Sequence, residues 1–227
     1  MADQAPPVRD RLRPPARLIA WVCAAHVLSM TGFATYPALL PGLQREWAMS
    51  NTEAGFVSGL FFAGYMAAVG GVGKTTTAVN LAASLVAAGG TAGFGFIAHG
   101  PIAGGLCQLL VGVGIAGTYM PGLRALTDNT HGAAQTRAVS FYTAFFGVGV
   151  SLSLVLAQQV SEHLGWRWAF GAAAVGPLVA AAMVLAGLPP RAARGAAAES
   201  PQLDIRPVLA NRAARRYIYG YAVHCWE

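Results

Sequence analysis

The sequence predicts an all-α membrane protein of six transmembrane helices, with the start of a seventh near its end. Three observations carry this expectation. Of 227 residues, 55% are hydrophobic and only 11% charged, where a soluble domain carries roughly 25% charged residues. Asp, Glu, Lys and Arg are absent from 18–44, 54–73, 75–123, 138–161 and 168–190, runs of 27, 20, 49, 24 and 23 residues. A helical crossing needs about 20 apolar residues, so four runs hold one crossing each and the longest holds two. The third observation is that basic residues fall very unevenly among the connections between these runs.

Taken in order, residues 1–17 form a Pro- and Arg-rich leader (Arg9, Arg11, Arg13, Arg17) with the composition of a disordered segment. The apolar run after it is too long for the core of a cleaved signal and is followed by more runs of the same kind. The first helix is expected over 18–40, closed by Pro41 and Gly42. "SNTEAG" opens the second: Ser50, Asn51 or Thr52 can cap it, and Glu53 lies in its first turn, at the positive end of the helix dipole. This helix runs to about residue 69. The third (76–98) and fourth (102–123) are separated by the breaker His99, Gly100, Pro101. The fifth covers 139–160 and the sixth 168–188, ended by Pro189 and Pro190. The transmembrane domain is thus 18–188, followed by a basic linker over 189–216. Residues 217–227 contain "YIYGYAVHCW", an apolar run too short to cross, which reads as the start of a truncated seventh helix.

Positive residues are retained on the cytoplasmic side of a membrane. With the leader inside, thirteen basic residues lie inside: Arg9, Arg11, Arg13, Arg17, Lys74, Arg124, Arg137, Arg191, Arg194, Arg206, Arg212, Arg215 and Arg216. Only Arg45 and Arg167 lie outside. A wrong number of crossings would scramble this bias, so both ends of the six-helix unit are expected on the cytoplasmic face of an inner membrane. The net charge of +6 is explained by this topology, because the basic residues are interleaved with apolar runs and form no soluble face for nucleic acid. Cys23, Cys107 and Cys225 are far apart and read as small buried hydrophobes, with no metal or disulfide chemistry implied.

Several segments carry a family resemblance. "ALLPGLQREWAMSNTEAGFVSGLFFAGY" (38–65) looks like the first loop and second helix of the major facilitator superfamily, "GVGIAGTYMPGLRALTD" (112–128) resembles its fourth helix, and "LGWRWAF" (164–170) resembles the entry to its sixth. Together with six helices, a basic cytoplasmic segment and the opening of a seventh helix, these resemble the N-terminal half of such a transporter. There are departures. The family's G-x-L-[AS]-D-[RK]-x-G-R-[RK] loop between helices two and three is missing. Gln108 stands where the fourth-helix pattern R-x-x-x-G-x-G has its arginine, before Gly112 and Gly114, and the fifth helix has Gly147 and Gly149 but no Gly-Pro pair.

In place of the missing loop stands "GGVGKTTTAVNLAASL" (70–85), similar to the phosphate loop of ParA-type partition ATPases. Were it a nucleotide site, Gly70, Gly71 and Gly73 would let backbone N–H groups approach phosphate, Lys74 would neutralise its oxygens and Thr75 would hold magnesium. Its context speaks against this. Val69 replaces the ATPase family's lysine and Ala68 the first glycine of the general motif, and no hydrophobic strand ends in an acid: the only later aspartates are Asp128 and Asp204. The segment reads as a splice that replaced a transporter loop, with Lys74 the only lysine beside fourteen arginines.

The resemblance implies a mid-membrane cavity lined by helices one, two, four and five of this half. On the first, His26, Ser29, Phe33 and Tyr36 follow a helical face; the second aligns Ser58 with Tyr65, the fourth Gln108 with Gly112 and Tyr119, and the fifth Ser151 with Gln158. Polar groups in hydrocarbon face the bundle interior, either to line a path or to cement helix pairs. His26 is the ionisable residue placed nearest mid-depth, with a proton-linked role and a packing role both open. The expectation is therefore one half of a secondary transporter of a small molecule, not an enzyme, without cofactor or metal, partnered by the lipid bilayer and a C-terminal six-helix half. The alternatives are a membrane-associated phosphate-loop ATPase and a non-functional chimeric fragment.

Overall fold

The computed structural model describes residues 16–71, 77–187 and 210–224, and every described element is a helix. These are α1 (Ala16–Ser29), α2 (Thr35–Glu46), α3 (Asn51–Gly71), α4 (Thr77–Phe96), α5 (Pro101–Asn129), α6 (Gly132–Leu164), α7 (Trp166–Gly187) and α8 (Arg212–His224). Five of them, α3 to α7, are long and apolar enough to cross a membrane.

The sixth crossing is where the structure corrects the sequence. Residues expected as one helix over 18–40 form two, α1 and α2, with a break at 30–34, and Pro41 lies inside α2, which continues to Glu46. The break accommodates Pro37. In an unbroken helix its ring would meet the carbonyl of Phe33 and its missing N–H would remove a hydrogen bond, at a cost of about 3 kcal/mol. With α2 starting at Thr35, Pro37 falls in a first turn, where no N–H is required. The interruption is tolerated because neighbouring helices answer it. The Ser153 hydroxyl on α6 accepts a hydrogen bond from the Ala34 N–H (3.0 Å) and donates to the Thr31 carbonyl (2.6 Å). The Thr31 hydroxyl in turn donates to the Ala173 carbonyl on α7 (2.6 Å).

The next turn keeps the expected start of the second crossing and selects its cap. Glu53 accepts from both the N–H and the hydroxyl of Ser50 (2.8 Å each), while the Glu53 N–H donates back to the Ser50 hydroxyl (3.2 Å). This reciprocal box at S-x-x-E satisfies two of the helix's free donors. Gly165, at φ +87°, closes α6 through a bond from its N–H to the Ser161 carbonyl (3.0 Å) and permits an abrupt turn into α7.

Within the bundle, α5 packs on α3 and α4, and α7 packs on α4, α6 and α1. The α3–α5 contact is backbone to backbone. A Cβ on Gly112 would stand 2.0 Å from the Phe61 carbonyl oxygen, and one on Gly64 would stand 2.1 Å from that of Leu109. Three apolar clusters fill the interior: one around Tyr36, Leu43, Phe94 and Phe170, one around Met30, Phe61, Val111 and Ile115, and one around Val22, Cys23, Leu126 and Tyr142. Residues from 192 on form a separate unit. In it α8 begins at Arg212, five positions before the apolar run, capped by Asn211, whose side-chain oxygen accepts from the N–H groups of Ala213 and Ala214 (3.0 and 3.2 Å). Its 13 residues are fewer than a crossing requires.

Candidate substrate path

The site is built where α1, α5 and α6 meet. His26 projects from α1 and is 4% exposed. Its ring stacks on Tyr142 of α6 (centroids 4.4 Å apart), lies tilted against Tyr119 of α5 (5.3 Å) and approaches Phe146 of α6 (6.2 Å). Tyr142 is held by its hydroxyl, which donates to the Tyr119 carbonyl (3.0 Å). Neither ring nitrogen of His26 has a hydrogen-bond partner among the described residues. A buried polar group so placed costs about 1–3 kcal/mol.

The expected single face of the first helix does not survive the break. His26 joins the α5–α6 aromatics, whereas Tyr36 belongs to the cluster near the α2–α3 turn, where its hydroxyl donates to the Ala54 carbonyl (3.1 Å) and its ring meets Phe94 edge-on (5.6 Å). Ser29 and Ser58 spend their hydroxyls on their own helices, donating to the carbonyls of His26 (2.7 Å) and Ala54 (3.1 Å). Tyr65 is half-buried beside the cluster of Phe61 and Ile115, and Gln108 is buried on α5. Ser151 and Gln158 lie on the exposed side of α6, Gln158 donating to Glu162 (2.8 Å). Gln158 also lines a cavity of about 360 Å³ with Arg45, Glu46, Ser161 and Trp166 at the α2 end of α6.

The structure thus brings His26 and Tyr119 together, with Tyr65 nearby, and leaves Tyr36, Ser151 and Gln158 elsewhere. Sequence reasoning missed Tyr142 and Ser153. Tyr142 falls at the same helical phase as Gly149, seven residues on, and both are buried; that spacing was available as a signal. Ser153 gave none, because its partners are 119 and 122 residues away.

Of the phosphate-loop candidates, Gly73, Lys74 and Thr75 lie outside the described residues, while Gly70 and Gly71 end α3. The segment leading into them is a 21-residue helix, where a phosphate loop requires a strand, and no strand occurs among the described residues. The ATPase reading therefore finds no support.

Five membrane-length helices, a broken sixth crossing and an interior polar cluster define an integral membrane protein of the polytopic helical class. A model of the Major Facilitator Superfamily matches residues 22–225, and the chain belongs to that family. It is 25% identical over 185 residues to a protein of Arabidopsis thaliana named "Probable sphingolipid transporter spinster homolog 1", the match covering 74% of this chain and 35% of that protein. The chain spans about a third of the length of the curated relative it matches.

Proposed function

We propose that this chain supplies one six-helix half of a secondary transporter, acts together with a second six-helix half, and performs no enzymatic step of its own. The observation that carries this is the break at 30–34 beside His26. Transporters form their sites at mid-membrane from discontinuous helices whose irregular backbone is answered by protein. Here the break is answered by Ser153, and Thr31 beside it reaches Ala173. The apolar windows of α3 and α6 are only 28% and 17% buried, against 50% or more for α4, α5 and α7. Those two helices carry the faces that a second half would cover.

Alternating access rocks two halves about a central site, so one half alone provides half a cavity. The site combines aromatic walls with few polar groups, which suits an amphipathic small molecule. A sphingolipid, the class in the name of the plant relative, is the first to test. The basic asymmetry supports a topology with both ends of the bundle on the cytoplasmic side of the cytoplasmic membrane. Reporter fusions after residue 187 are expected to read cytoplasmic, and a reporter active only outside would overturn that topology.

Transport itself is tested by making this chain together with a separately expressed C-terminal half of a full-length relative, and measuring uptake of labelled candidates in proteoliposomes. Uptake requiring both halves supports the proposal. If the halves co-purify and carry none of a broad amphipath panel, the chain is an inert fragment.

A further inference from the structure

His26 is a titratable side chain with no hydrogen-bond partner among the described residues, enclosed where three helices of the proposed path meet. We propose that His26 is a proton-binding residue that locks α1 against α5 and α6 when neutral, and that its protonation opens this wedge to water. The proposal rests on the transporter reading for its purpose, but not for its test.

Protonation adds a proton from water to the lone pair of the ring nitrogen that lacks one, leaving two N–H donors and a unit charge. From α1 itself the neighbouring titratable group is Cys23, one turn earlier and buried. From α5 it is Tyr119, and from α6 Tyr142. From α3 it is Tyr65, half-buried against the cluster of Met30, Phe61 and Ile115. From α7, which also packs on α1, the residues after Arg167 contain no titratable side chain. The charged residues Arg124 and Asp128 lie further along α5, paired with each other at 4.0 Å. None of the neighbours is a carboxylate. The tyrosine faces answer a cation in part, but a buried charge without a counter-ion is stable only where water reaches it.

The sign follows. The closed wedge accommodates the neutral ring and the hydrated wedge accommodates the charged one, so acid shifts the population towards opening. The hydroxyl of Tyr142 transmits the change, because it ties α6 to α5 at the Tyr119 carbonyl directly beside the ring.

The test uses the whole 227-residue chain in lipid nanodiscs. Backbone hydrogen exchange is followed at about pH 8 and about pH 5, a window across which histidine changes charge, with times scaled for the intrinsic pH dependence. In the native chain, exchange over 19–29 and 138–146 is expected to rise about ten-fold at the lower pH. In His26→Phe, which fills the slot with an uncharged ring, the scaled rates stay equal. His26→Gln, which keeps a donor and an acceptor but takes up no proton, stays equal too and guards against a variant that merely packs badly. An equal rise in native and variant chains overturns the proposal, as does a native chain with no rise. No uptake is measured, so the transporter reading stands or falls separately: halves that carry nothing while the pH response persists overturn that reading alone.

Discussion

Ser153→Ala tests whether the first crossing is held in two pieces by a single hydroxyl. The side chain is fully buried and accepts from the Ala34 N–H while donating to the Thr31 carbonyl. Removing it strands one backbone donor, the Ala34 N–H, while the Thr31 carbonyl keeps the bond it accepts from the Thr35 hydroxyl (3.1 Å). A buried unsatisfied group costs about 1–3 kcal/mol. Against this, hydrogen bonds inside membrane proteins average only about 0.6 kcal/mol, because broken groups find new partners. The structure decides between these limits. The obvious new partners are those of a continuous helix, and Pro37 opposes that rearrangement by about 3 kcal/mol. Residues 30–32 and 34 are also buried, which limits replacement by water. A loss of about 1–3 kcal/mol is therefore expected, read from reversible unfolding in mixed detergent. Ser151→Ala, two residues away on the exposed side of α6, should stay within about 0.5 kcal/mol. If both variants unfold alike, the clasp contributes nothing and the break has another cause.

Three further outcomes are expected. Gly112→Ala puts a methyl group 2.0 Å from the Phe61 carbonyl oxygen, and since that neighbour is backbone the α3–α5 contact must separate; a loss of about 3 kcal/mol is expected, at the upper end of overpacking costs. Gly147→Ala, with nothing within 4 Å, is its control, and similar losses for both would refute backbone contact as the cause. Ser50→Ala removes the capping box that opens α3 and should cost about 1 kcal/mol, whereas a neutral result in the same unfolding assay would show that the cap is dispensable. ATP hydrolysis by the purified chain should match a protein-free control in both the native form and Lys74→Ala; magnesium-dependent turnover abolished by that substitution would restore the phosphate-loop reading.

The membrane class and five of the crossings were legible because hydropathy is a local property. A stretch of about 20 residues without charge states its preference for hydrocarbon whatever it packs against. Capping was legible on the same grounds, since Ser50 and Glu53 are three residues apart and need nothing else. Pro37 was in view too, but its effect depends on where a helix begins, and only the contacts of residues 30–34 with α6 and α7 decide that.

The candidate site followed the same division. Helical spacing placed His26 and Tyr36 on one face, and the break sent them to different clusters. Ser151 and Ser153 are near neighbours in sequence. One is exposed, while the other is buried against a break 119 residues earlier. Polarity along a chain shows which groups need partners; only the packing of α1, α5 and α6 determines that, among the described residues, Ser153 finds two and His26 finds none, because the partners of Ser153 lie more than a hundred residues away.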